Sequence, residues 1–174
     1  MITLRPAAAP DLPTVGALHQ SSRAAAYRHI IPADALASVS AEMMGHYWSE
    51  RWAYERDTHL LTVAEQDGQL VGFTYLGPHD PEEPASAGPD VGELYAIHLD
   101  PAVQGRGIGR TLMVDTLAKL HARGWSRAVL WVLADNLHAR EFYLRGGWRP
   151  DGAERDGDIG GVQTPQLRYA RDLP

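Results

Sequence analysis

The stretch Gln104-Gly105-Arg106-Gly107-Ile108-Gly109-Arg110 follows an apolar segment and opens a helix-like one. Glycines at alternate positions let the main chain approach a ligand closely and turn its N–H groups toward one point. The start of a helix adds unpaired N–H groups and the positive end of its dipole. Together these features make a cradle for a diphosphate, and Arg106 and Arg110 add guanidinium donors for charge-assisted bonds. The same glycines also suit a plain turn before a helix. Two familiar nucleotide loops do not fit, because the stretch has no Gly-Lys-Ser/Thr ending and lacks the G-x-G-x-x-G spacing.

Composition removes other chemistries. The chain has 174 residues and no cysteine, which excludes disulfides, thiolate metal sites and a cysteine nucleophile. The histidines show no metal-ligand spacing with carboxylates, so no metal is expected. A formal charge of −6 argues against nucleic-acid binding, which needs a dense basic face. The opening residues Met1 to Pro6 lack the apolar core of a signal peptide. The longest apolar run, Ala128 to Ala134, is far too short to span a bilayer. A soluble, cytoplasmic protein of one domain over residues 1–174 is expected.

The elements that must carry the loop can be read from periodicity. Thr3 to Arg5 reads as a strand ended by Pro6, and Leu12, Val15, Leu18 and Ala25 follow helical spacing. A second helix is predicted over Ala41 to Tyr54, where Met44, Trp48 and Trp52 recur every four residues. His59 to Glu65 and Gln69 to Leu76 form a hairpin across Asp67-Gly68. Gly77 to Asp90, with Pro78, Pro81, Pro84 and Pro89, reads as a solvated loop. A strand over Gly92 to Leu99 stops at Asp100-Pro101. The helix begun at Ile108 closes near Gly124, and Ala128 to Leu133 is a buried strand. Asn136 caps a short helix ending at Gly146-Gly147. Strands near Trp148 and over Gln166 to Arg171 flank a Gly/Asp-rich connection. An α+β architecture follows, a mixed sheet covered by helices on both faces.

Glu93-Leu94-Tyr95-Ala96-Ile97-His98-Leu99-Asp100-Pro101 followed by Gln104-x-x-Gly107-x-Gly109 closely resembles motif A of the GCN5-related N-acetyltransferase (GNAT) superfamily. Asn136-x-x-Ala139-x-x-Phe142-Tyr143 with Gly146-Gly147-Trp148 resembles its motif B, and Tyr27 to Leu36 is similar to a segment of bacterial members. The resemblance covers nearly the whole chain. It implies a mostly antiparallel sheet of six to seven strands, splayed where acetyl-coenzyme A binds.

The resemblance further implies an acetyltransferase acting on a primary amine of a small molecule or peptide, by direct attack on acetyl-CoA. Ile97, His98 and Leu99 would offer main-chain groups to the pantetheine arm, and Gln104, Gly105, Arg106, Gly107, Ile108, Gly109 and Arg110 would hold the diphosphate. Asn136 would bond the same arm. Tyr143 matches the general acid beside the sulfur, and a core position beside Phe142 also suits it. Glu93 is the candidate base, and solvated at the strand start otherwise. His98 is the rival, placed by strand alternation on the face opposite Glu93 and Tyr95. Tyr27, Trp48, Trp52 and Tyr95 are the candidate acceptor-facing residues, although tryptophans at four-residue spacing equally suit a core. Many relatives are homodimers, but no stripe here declares an interface. A coenzyme A-binding sensor without turnover is the alternative.

Overall fold

The computed structural model describes residues 1–83 and 87–174. Seven strands form one sheet: β1 (Ile2–Pro6), β2 (Leu60–Gln66), β3 (Gln69–Pro78), β4 (Val91–Leu99), β5 (Arg127–Leu133), β6 (Arg149–Ile159) and β7 (Val162–Asp172). Their order is β1-β2-β3-β4-β5-β7-β6. Every neighbouring pair is antiparallel except β4 and β5. The β2–β3 turn places Asp67 and Gly68 at φ 53° and 78°, the left-handed pair that a two-residue hairpin requires.

Two helix layers cover the sheet. Helices α1 (Leu12–Tyr27) and α3 (Ala41–Glu55) pack Leu12, Val15, Leu18 and Trp48 on Val63, Phe73 and Tyr75. They cross very closely, since a Cβ on Gly16 would fall 2.2 Å from the main-chain nitrogen of Gly45. Ser40 caps α3 by accepting a 3.1 Å bond from the Met43 N–H. On the opposite face, α4 (Ile108–Ala122) and α5 (Leu137–Arg145) pack Leu112, Met113, Leu120 and Tyr143 over Val71, Leu76, Leu94, Leu130 and Val132. A five-residue helix, α2 (Ala33–Ala37), meets the tip of the β6–β7 hairpin.

Several expectations change. Ala25 is exposed, and Ser22 takes the buried position on α1. The Gly/Asp-rich connection is not a loop but β6 itself, and Trp148 is a fully buried residue just before it. β6 lies at the sheet margin, where charged residues keep a strand from pairing further. The Gly77–Asp90 segment is only partly solvated, because β3 runs through Pro78 and His79 is buried. Pro84, counted with that loop, lies outside the described residues. Among the described residues, no helix is long and apolar enough to cross a membrane.

Candidate active site

The sheet opens in its middle. β4 and β5 pair only at Val91–Arg127, Gly92–Ala128 and Glu93–Val129. Beyond those pairs β4 stays with β3 as far as Leu99–Gly72, and β5 stays with β7 as far as Leu133–Gln166. Two parallel strands therefore part like a V, and the main-chain groups lining the gap have no strand partner. Ile97, His98 and Leu99 all lie on the parted section of β4.

The glycine loop sits at the mouth of that V. Gly105 and Gly107 have φ of 78° and 83°, and a Cβ on either would meet nothing within 4 Å. Gly107 is the N-cap of α4 and no side chain among the described residues caps the helix, so the first amides, those of Ile108, Gly109 and Arg110, lack a side-chain acceptor there. Gln104, Arg106 and Arg110 are exposed, and neither guanidinium has an acidic partner among the described residues. Leu99 holds the helix start in place. A Cβ on Gly109 would lie 3.3 Å from Leu99 Cδ1 and 3.6 Å from the Phe142 ring. Open space, bare amides and two uncommitted cations fit a diphosphate.

Helix α5 closes the same side. The Asn136 side chain accepts a 3.3 Å bond from the Ala139 N–H, so it is the expected cap. Arg140 ties the helix down, donating to Ala134 O at 2.7 Å and to the Tyr169 hydroxyl at 3.0 Å. Tyr143 is 9% exposed, packed among Phe142, Trp148 and Tyr169, and its hydroxyl bonds to none of the described residues. Core position and free hydroxyl are thus combined in one residue. Burial pushes this phenol up from its ordinary value, with the Tyr27 ring adding to the effect. The group keeps its proton at neutral pH and is a poorer acid than a free phenol.

On the other face, strand alternation is interrupted. Tyr75 pairs with Ala96 and Leu76 with Leu94, which leaves Tyr95 as the extra residue of a bulge. The bulge turns His98 to the α1 side, the same face as Glu93 and Tyr95, and this corrects the opposite placement expected from simple alternation. The His98 ring lies 4.3 Å from that of His19, and its Nδ1 is 3.1 Å from Ser22 Oγ. Burial and then the Arg23 charge hold His98 down to about 4. Burial, with help from His98 and Arg23, takes His19 to about 2. Both rings are neutral packing groups near pH 7.

The acceptor-facing candidates divide. Trp48 is 1% exposed and donates from Nε1 to His19 Nδ1 at 3.0 Å, so it is core and not a wall. Trp52 lies at the edge of the same cluster beneath Arg56. Tyr27 is half-buried and electrostatically close to both Arg23 and Tyr143, which brings the end of α1 to the V. Tyr95 donates to Pro78 O at 2.5 Å, with the Arg51 guanidinium 4.8 Å from its ring.

Glu93 is not solvated. It is 2% exposed and its Oε2 lies 2.8 Å from His79 Nδ1. Burial raises its carboxyl, the His79 bond opposes that, and the nearby Glu83 reinforces it. Spacing along the chain does not single out His79, which lies just before the acidic Glu82-Glu83 pair. Glu82 is exposed, but Glu83 folds inward, accepting from Arg155 Nη1 at 2.7 Å and Trp131 Nε1 at 3.2 Å. Ligand atoms of His79, Glu83 and Glu93 lie within 4.8 Å of one another, so metal-binding residue types do converge, contrary to the spacing argument. Nδ1 is engaged by Glu93, however, and His79 Nε2 with Glu83 falls short of the three protein ligands of an open zinc site.

A mixed sheet opened between two parallel strands, with a glycine loop and a bare helix start at the mouth, defines an acyltransferase fold of the GNAT type. Residues 25–148 match the model of the Acetyltransferase (GNAT) family, and the chain belongs to that family. It is 31% identical over 166 residues to the mycothiol acetyltransferase of Cellulomonas flavigena, covering 84% of this chain and 44% of that protein. The chain thus spans under half the length of that relative. Its fold is similar to that of the PaiA N-acetyltransferase from Thermoplasma acidophilum in complex with coenzyme A, with TM-score 0.77, 19% identity and 99% of both chains covered. It also resembles yncA of Salmonella typhimurium with its cofactor acetyl-CoA, with TM-score 0.69, 17% identity and coverage of 100% and 95%.

Proposed function

We propose that this chain transfers an acetyl group from acetyl-CoA to a primary amine of a small molecule or peptide. One observation supports the reading most: an open seam between β4 and β5 ends at an uncapped α4 whose glycines leave room for a diphosphate. Acetyl-CoA supplies the activated acyl carbon. The amides of Gln104 to Arg110, with the Arg106 and Arg110 guanidiniums, would hold its diphosphate. Main-chain groups of Ile97, His98 and Leu99 would pair with the pantetheine arm as a strand pairs with an exposed edge. The Asn136 amide would bond the same arm while its oxygen caps α5.

Three tasks remain for the chain. A main-chain N–H of β4 steadies the carbonyl oxygen as it gains charge. Tyr143, whose hydroxyl has no other partner among the described residues, donates to the departing sulfur. A base built on Glu93 takes the proton of the amine, acting through the group that this carboxylate orients.

The test is free-thiol release on incubating the protein with acetyl-CoA and a panel of spermidine, L-cysteine, glycinamide and an alanyl peptide. Amine-dependent thiol release is expected. Thermal stabilisation by acetyl-CoA without thiol release for any amine would instead make the protein a coenzyme A sensor.

A further inference from the structure

We infer that the proton-accepting atom of this site is Nε2 of His79, oriented by Glu93, and that the acceptor's ammonium group is received between that nitrogen and Glu83. The reaction comes from the acetyltransferase reading above, whereas the geometry stands independently of it.

The His79 side chain is 1% exposed, and its two nitrogens are in unlike situations. Nδ1 lies 2.8 Å from Glu93 Oε2. Nε2 is buried and has no hydrogen-bond partner among the described residues. It faces Glu83 Oε2 at 3.9 Å, too far for a hydrogen bond. An N–H group seated beside that gap would reach both atoms. An ammonium carries donors only, so it needs acceptors converging on it. A carboxylate and an imidazole lone pair are such acceptors. A buried polar atom left without a partner is costly, and the native state keeps one here at the branch of the V, beside the last β4–β5 pair, Glu93–Val129.

The tautomer follows from charge. An ionised Glu93 accepts only, so Nδ1 must carry the proton and Nε2 the lone pair. The charged and titratable groups around His79 are Glu93 from β4, Glu83 from its own loop, Arg155 of β6 bonded to Glu83, and Tyr95 of β4, electrostatically close to both carboxylates. In the step itself an N–H bond of the ammonium breaks and an Nε2–H bond forms. The freed nitrogen lone pair attacks the acyl carbon, and the C–S bond breaks as the sulfur takes the Tyr143 proton. The second proton of the attacking nitrogen returns to the Tyr143 oxygen, and the Nδ1 proton stays on its bond to Glu93. His79 then returns its proton to water past Glu83.

This differs from a carboxylate working alone. In that arrangement Glu93 takes the proton and His79 merely fills space. The His–carboxylate pair divides the labour instead: His79 touches the substrate and Glu93 positions it.

Ring nitrogens of the ¹⁵N-labelled full chain report the tautomer, with His79→Gln assigning the signals. A protonated Nδ1 and a bare Nε2 are expected; a protonated Nε2 beside a bare Nδ1 would overturn the inference. With acetyl-CoA and n-butylamine, His79→Gln should lower kcat by about 100- to 1,000-fold and leave the KM for acetyl-CoA nearly unchanged. Added imidazole should restore part of the rate of His79→Ala, which a purely structural ring would not allow. A His79→Gln rate within about threefold of the unaltered protein would also overturn it. Absence of turnover by the unaltered protein would count against the acetyltransferase reading, whereas the tautomer alone decides the His79–Glu93 arrangement.

Discussion

Replacing Gly107 by alanine separates the two jobs of the glycine loop, and Gly68→Ala supplies the control. Both glycines have positive φ, 83° and 78°, and a Cβ on either meets nothing within 4 Å. The free protein therefore suffers only backbone strain in each variant, about 1–2 kcal/mol. At this chain length that lowers Tm by roughly 2–8 °C, about equally for the two. Binding should distinguish them. A methyl group on Gly107 projects into the space assigned to the diphosphate and would break one charge-assisted main-chain bond, which contributes about 1.5–3 kcal/mol. Coenzyme A affinity should then fall by about 10- to 150-fold for Gly107→Ala and remain unchanged for Gly68→Ala. Thermal melts measure the first quantity and titration calorimetry the second. Equal coenzyme A affinity in the two folded variants would refute the cradle.

Tyr143→Phe should lower turnover with n-butylamine by about 10- to 100-fold while leaving acetyl-CoA affinity and Tm within error, because the hydroxyl bonds to none of the described residues. Stability should depend on pH through His98. The unfolded ring takes up a proton near pH 6.5 and the folded one near 4. The unfolded chain thus binds more protons in that window, and stability, complete above 6.5, falls as pH drops to 4. His98→Asn should remove on the order of 3 kcal/mol of that fall, read from urea midpoints across the window, and an unchanged slope would contradict it. Trp48→Ala should cost about 3–5 kcal/mol by chemical denaturation. A small stability loss together with a raised acceptor KM would return Trp48 to the substrate wall.

Local signals carried much of this in the sequence. The glycine loop and the Asn136 cap depend on residues a few positions apart, so their spacing is visible along the chain. The helices of Leu12 and Met44 and the Asp67-Gly68 hairpin are equally local. What stayed hidden depends on partners distant in sequence. The bulge at Tyr95 is set by how β3 and β4 align, and without it His98 falls on the wrong face. His79 and Glu93 are 14 residues apart and meet only because β3 and β4 run antiparallel. β6 is rich in Asp and Gly and mostly exposed, so no apolar alternation announces it. Trp48 and Trp52 share one spacing, yet the first is core and the second is at the edge, because α1 covers only part of α3.

The parted strands also bear on how this protein is handled. An interrupted ladder inside a sheet is an internal edge, with the same appetite for a foreign strand as an outer one. A molecule lodged there would act as a plug and raise stability by about 2.7 kcal/mol at a hundredfold excess over its Kd. Preparations kept without such a plug should clump on storage and lose amide protection along Ile97 to Leu99. Stocks supplemented with coenzyme A should stay clear.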